Sequence, residues 1–399
     1  MFFGNCQFRA LQSVSRNLRI SPSRLPLFTV ISPSFPALVA HSGIKRRKDL
    51  TVFQTTKTLA ALIASAAIVA SSTTLAAAAP NYQKLPELPS STVRATTQGH
   101  SQPATSIADA ILKDGTDPVA PKGVNDWSCK PNPKKPNPVI LIHGMSMTAN
   151  TAWAGFGPVL KDRGYCVYAV NMAKDRDGAM SKVVRAIGGL DFGGLGDIEA
   201  SATFTAAFIN EVMKTTGAKT VDIIGYSEGG TVANLIAHTY GPSFIDNIIT
   251  LGGINVGINP LGVQDVGAVY AENAEPALVG NILEFGTIAA AQMMTGSPII
   301  NSITNPDTLP GITYTNLSTK YDQFTAISTH NPNFQKAVPG ATVTNITVQD
   351  GCDKDHSDHL TLPYNKRVWA IVLNTLADKK VIEVPCLVAV PGLRSIDAK

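Results

Sequence analysis

"VDIIGYSEGGTVANLIAH" occupies residues 221–238 and decides the fold. Its first residues are a short apolar run with β-branched content, which suits a strand buried on both faces of a parallel sheet. Residues 229–240 then carry the apolar spacing of a helix. Ser227 falls between the two, in Gly225-Tyr226-Ser227-Glu228-Gly229, a match to G-x-S-x-G. Such a match arises by chance about 0.1–0.2 times in a chain of this length at ordinary Gly and Ser frequencies. The context therefore has to carry it. A serine on a strand-to-helix turn stands clear of the sheet, at a helix N-terminus that favours developing negative charge.

The rest of the chain repeats the alternation. Strands are expected at 139–142, 165–170, 220–224, 244–251, 312–317 and 342–348, and helices at 153–163, 197–216, 229–240 and 365–377. This order predicts an α/β class with a mainly parallel sheet covered by helices on both faces. One stretch interrupts it: 255–304 holds Leu278, Ile282, Phe285, Ile288, Met293 and Met294 in a Gly/Asn/Pro-rich setting. It reads either as an ordinary covering helix or as a cap lining an apolar pocket.

The ends differ in charge. Residues 1–79 hold nine Lys or Arg against Asp49, a net of +8, which leaves −4 for residues 80–399 of the chain's +4. A mildly acidic body argues against nucleic acid as a partner. Lys45-Arg46-Arg47-Lys48, the apolar run 59–70 and the small residues 75–79 read as a secretory signal cleaved near Ala78 or Ala79. Residues 1–44 in front of it read as a transit peptide or, in preference, as a start site set too far upstream. Residues 80–125, rich in Pro, Ser and Thr, read as an arm or linker with a short helix near 107–112, and 126–399 as the main domain. Removing the leader takes Cys6 and leaves Cys129, Cys166, Cys352 and Cys386, an even count that suits two disulfides in an exported chain. Three pairings are open, and the local ones are Cys129–Cys166 and Cys352–Cys386.

A serine nucleophile needs a base, an acid to orient it and an oxyanion hole. The backbone N–H of Glu228, the residue after the serine, is the first expected donor, and Met145, in His143-Gly144-Met145 after the first strand, the second. His143 itself precedes the serine and is read as a turn residue packing against the sheet. Among later histidines, His238 lies about 16 Å along the elbow helix and is read as structural. His330 reads as a surface loop residue. His356 and His359 lie in the polar loop between the last strand and last helix, the place for a base. Asp322, after the strand ending near 317, is the expected orienter. Asp350, Asp353, Asp355 and Asp358 sit too near these histidines and are read as a solvated or cation-binding loop.

Taken together, "NDWSCKP", "PVILIHGM", "AGFGPVLKDRGYCVYAVN", "GYSEGG", "YTNLSTKYDQF" and "VQDGC…SDHLTLPY" resemble secreted class 2 lipases and esterases of the actinobacterial type, across most of 125–390. The resemblance implies an α/β-hydrolase fold and hydrolysis of carboxylic esters, lipid esters among them; the reaction requires no cofactor, and no residue is assigned as a metal ligand. By position it makes Ser227 the nucleophile, Asp322 the acid and His359 the base, with His356 in reserve. It also supports the two local disulfides. Met147-Thr148 depart from the glycines that many hydrolases carry there. An ester or lipid substrate, with contact to a lipid interface, is the partner implied. Two other functions compete: an acyltransferase using the same triad, and a catalytically silent binding module.

Overall fold

Both faces of the central sheet are covered at its middle, where the strands at 139–142, 167–170 and 221–226 are buried at every residue. The computed structural model describes residues 80–88, 99–115, 119–173, 192–258, 287–322, 324, 333–334, 337–392 and 395–396. The expected leader, Leu278, Ile282, Phe285 and His330 lie outside these. Helix α1 (Ile107–Asp114) precedes strand β1 (Val139–Ile142), and α2 (Ala149–Trp153) and α3 (Phe156–Asp162) lead to β2 (Val167–Val170). Then come α4 (Ile198–Thr216), β3 (Val221–Tyr226), α5 (Glu228–Tyr240) and β4 (Ile245–Leu251). Two short helices, α6 (Ile288–Gln292) and α7 (Pro298–Ile303), precede β5 (Thr313–Ser318) and β6 (Thr342–Thr347). A 3-10 helix (His359–Tyr364) and α8 (Lys366–Leu376) follow, and the hairpin of β7 (Val388–Ala389) and β8 (Ser395–Ile396) comes last.

The sheet runs β2-β1-β3-β4-β5-β6 with every neighbour parallel. Alternate residues of one strand go to opposite layers, as the period of two demands. Val139 and Leu141 join a core with Trp153, Phe156, Leu160 and Val372. Ile140 and Ile142 join the other, with Ile198, Phe208, Val232 and Ile236. Each such side chain, fully buried, contributes about 1.5–3 kcal/mol of transfer free energy. The sequence expectation of an α/β parallel sheet is met, with strand ends within a residue or two.

The chain leaves β1 toward β2 on one side and returns to β3 on the other. The reversal opens a crevice at the strand C-termini between β1 and β3, the place where open parallel sheets bind ligands.

The described parts of the 80–125 arm lie against the main domain. Leu85 and Leu88 pack on the core, Gln83 N–H donates to Thr239 O at 3.0 Å, and Lys214 pairs with Glu87. Both disulfides take the local pairing, Cys129–Cys166 and Cys352–Cys386. Of the 255–304 stretch, α7 contributes Ile299, Ile300 and Ile303 to the core.

At the other end of β3 sits a buried acid, Asp222. Its Oδ1 accepts from Asn247 Nδ2 at 2.7 Å and Asn137 Nδ2 at 3.2 Å. Burial outweighs these donors, and the Asp246 charge adds to it, pushing the carboxyl from 3.8 up to about 7. The folded chain thus holds a proton there that the unfolded chain has released, so stability falls as pH rises between those two values. Asp222→Asn removes this dependence. In urea unfolding, the stability of the variant relative to wild type should climb from pH 4 to pH 7 and level off above it; a difference independent of pH would contradict this assignment.

Candidate active site

Ser227 has φ 54° and ψ −120°, a conformation that non-glycine residues seldom adopt and that costs about 1–3 kcal/mol. The surroundings hold it in place. Its N–H donates to Leu251 O at 3.0 Å, and its carbonyl accepts from Gly230 N at 2.9 Å. The flanking glycines are dictated by contact between backbones. A Cβ on Gly225 would stand 2.4 Å from Gly229 O, and one on Gly229 would stand 2.4 Å from Ile142 O. The G-x-S-x-G pattern is therefore the cost-free way to press α5 onto the ends of β3 and β1.

Asp322 follows β5, and His359 opens the 3-10 helix. A bridge between Tyr321 and Asp358 joins the two loops. His359 Nδ1 lies 2.7 Å from Asp322 Oδ2, with both side chains almost wholly buried. Phe324 N–H donates to the second oxygen, Oδ1, at 3.0 Å. A carboxylate at Nδ1 fixes the proton there and leaves Nε2 to act as a base.

The imidazole is also clasped by two rings. Tyr226 lies 5.2 Å from it and Phe324 5.1 Å, centroid to centroid. Tyr226 Oη donates to the His359 carbonyl at 3.0 Å. Burial, followed by the charges of Asp322 and Asp358, raises the phenol well above its ordinary value, so it stays a donor. Gly252, at φ 55°, makes room: a Cβ there would meet His359 Nδ1 at 3.0 Å.

Ser227 and His359 line one cavity, with Met145, Met147, Ile258 and Met293 among its apolar walls. Met145 belongs to the loop after β1, which turns at Ser146 with φ 56°. Glu228 is the first residue of α5, so its N–H has no partner within the helix. Met147 faces the cavity, and Thr148 caps α2 by exchanging bonds with Thr151. Ile258, Ala290 and Met293 bring the described part of the 255–304 stretch into the cavity wall as well as into the core.

The other candidates fall elsewhere. His143 is fully buried and packs at the turn, its Nδ1 2.8 Å from Gly144 O and its Nε2 accepting from Met172 N. His238 bonds the carbonyls of Asn234 and Pro306. His356 is on the surface with its Nδ1 3.2 Å from Tyr321 Oη. The expectation of a solvated or cation-binding acidic loop needs correction for two of its members. Asp355 and Asp358 are buried acceptors: Asp355 takes bonds from Ser357 and Asn365, and Asp358 caps the 3-10 helix through Thr361 N and also accepts from Gly392 N. Among the described residues no group of three or more His, Cys, Asp or Glu side chains is placed to hold a metal ion.

Tyr226, Phe324 and Gly252 were not singled out from the sequence. Tyr226 occupies a free position of the motif, and its partner lies 133 residues away. Only the β-aromatic character at the end of the strand hinted at it.

A family model described as "alpha/beta hydrolase fold" matches residues 137–285. Triacylglycerol lipases of Pseudarthrobacter phenanthrenivorans and Burkholderia plantarii are each 24% identical over 186 residues, 44% of this chain and 52% and 46% of theirs. The chain spans about half the length of the curated relatives it matches. Among solved structures, Aspergillus fumigatus lipase B aligns with a TM-score of 0.46 at 15% identity, covering 71% of this chain and 63% of its own. Bacillus licheniformis lipase BlEst2 in mature form aligns with a TM-score of 0.41 at 17% identity, covering 62% and 94%. The six-stranded parallel sheet and its flanking helices are those of an α/β-hydrolase fold.

Tyr226→Phe keeps the ring against His359 but leaves the His359 carbonyl without its donor. Loss of one such buried bond costs about 1–3 kcal/mol. The variant should melt at a lower temperature and show a looser His359, seen as faster exchange of its imidazole Nδ1 proton by NMR. Unchanged melting and exchange would show that the bond contributes nothing.

Proposed function

We propose that the chain is a serine hydrolase that cleaves carboxylic esters bearing an apolar acyl group, lipid esters among them. One observation carries the reading. The strained Ser227 elbow and the buried Asp322–His359 pair open onto the same apolar cavity, at the crevice between β1 and β3.

In this reading the acyl chain rests against Met145, Met147 and Met293, side chains that adapt to irregular apolar shapes. His359 Nε2 takes the Ser227 hydroxyl proton as Oγ attacks the ester carbonyl. Asp322 holds the ring and stabilises its positive charge. The oxyanion forms against the Glu228 and Met145 N–H groups, each worth about 3 kcal/mol in such sites. Collapse breaks the C–O bond, and the alcohol leaves with the proton from His359. Water then repeats the sequence on the acyl-enzyme, returning Ser227 and releasing the acid.

Export completes the proposal. Two disulfides close the domain, and such bonds persist in oxidising compartments. The basic-then-apolar segment 45–79 supplies the leader, cut near Ala78 or Ala79.

The test is turnover of p-nitrophenyl esters from short to long acyl chains, by the protein with oxidised cysteines. Wild type should hydrolyse them, and Ser227→Ala and His359→Ala should each lower kcat roughly 10,000-fold or more while unfolding normally. Full activity in the Ser227 variant would remove the serine from the chemistry, and loss in that variant alone would transfer the base role to His356.

A further inference from the structure

Glu228 presents an anomaly beside the reaction centre. Its side chain is fully buried, and neither carboxyl oxygen has a hydrogen-bond partner among the described residues. Other buried acids of the chain are served by donors: Asp222 by two amides, Asp322 by His359 and Phe324 N–H, and Asp358 by Thr361. A buried polar group left unpaired at a functional site calls for an explanation in terms of what it touches.

What it touches is the back of the loop after β1. A Cβ built on Gly194 would stand 2.9 Å from Glu228 Oε2, 2.9 Å from Gly144 O and 3.1 Å from Met145 Cα. The carboxyl and the Gly144–Met145 peptide therefore converge over one glycine, whose φ of 68° and missing side chain leave that room. The neighbouring Gly193 is stitched to the same loop, with Gly193 N donating to Met147 O at 2.8 Å and Met147 N to Gly193 O at 3.3 Å. The acid is thus wedged between the start of α5 and the turn that backs the Met145 peptide.

We propose that the Glu228 carboxyl, in its uncharged form, is the rear support of the 144–147 loop and a positioning residue for the ester cleavage. The inference rests on the function proposed above. The side chain touches no reacting atom and acts through Gly194 and the Met145 peptide, whose N–H is the second oxyanion donor. An unpartnered carboxylate in this place would be strongly disfavoured against the neutral acid. Burial accordingly pushes the group well above the usual carboxylate range. The titratable group packed on the same turn, among the described residues, is His143, whose Nε2 accepts from Met172 N and whose proton sits on Nδ1 toward Gly144 O.

Ionisation as pH rises would draw water to the carboxylate and part the 193–194 turn from the 144–147 loop. The oxyanion donor would move with it. Glutamine has the same shape and never ionises, whereas alanine leaves a void behind the loop.

The experiment compares full-length wild type, Glu228→Gln and Glu228→Ala, with oxidised cysteines, on p-nitrophenyl butyrate across pH, alongside urea unfolding. Wild-type kcat should fall reversibly on the alkaline side with KM steady. Glu228→Gln should carry that limb to higher pH. Glu228→Ala should lower kcat about tenfold or more with KM within about twofold, as expected for a misplaced transition-state donor. The folded chain keeps a proton that the unfolded chain loses above its ordinary value of 4.5. The stability of Glu228→Gln relative to wild type should therefore be constant in acid and widen as pH rises. Identical alkaline limbs in wild type and the Gln variant overturn the proposal, as does an Ala variant with unchanged kcat. If the Ala variant does not fold, the wild-type and Gln profiles decide alone. A wild type without turnover removes the reaction and the positioning role together. A stability difference that ignores pH, in an active enzyme, sinks only the neutral carboxyl.

Discussion

The closeness of three backbones governs this molecule. Strand β3, the start of α5 and the end of β1 meet so tightly that no Cβ fits on Gly225 or Gly229. That contact forces Ser227 into its positive φ and brings its N–H to Leu251 O. It also ties the elbow to the reversal of chain direction between β1 and β3, so the crevice and the serine are products of one packing decision. The sheet supplies the force: fully buried β-branched strands on both layers hold the turn against a strain of about 1–3 kcal/mol.

The rest of the site is borrowed from distant loops. Asp322 and His359 come from the ends of β5 and the segment after β6, joined by the Tyr321–Asp358 bridge. Tyr226 is the link between the halves. Its ring faces the imidazole, its hydroxyl holds the His359 carbonyl, and its backbone belongs to the elbow strand. One residue thereby couples the Ser227 strand to His359 through a bond and a ring contact.

Much of this was legible in the sequence because it is local. The runs at 139–142, 221–226 and 245–251 announce buried strands, and the Gly-flanked serine marks the elbow. The histidine loop was narrowed to His356 and His359 by its place before the last helix, and the geometry gives Asp322 to His359. What stayed illegible depends on partners far along the chain. Nothing near Phe324 or Gly252 says that a histidine will lie against it. Asp355 and Asp358 look like surface acids in a polar run, yet Asn365, Thr361 and the Gly392 amide turn them inward. Glu228 is expected from the sequence to matter only through its backbone N–H, and its buried carboxyl lies against Gly194, a neighbour that no local pattern announces.

The span of the Tyr226–His359 bond has a consequence for how the molecule comes into being. Its partners are 133 residues apart, and the sheet that aligns them is parallel throughout. Each parallel pairing closes a long loop before it gains a contact, so non-local order of this kind forms late and slowly. The serine's strand and its helix precede His359 on the chain, and His359 lies inside the segment that Cys352–Cys386 ties off. A nascent or clipped chain lacking that segment can build the elbow but not the Asp322–His359 pair. The imidazole's engagement with Asp322 is thus a record of completed folding.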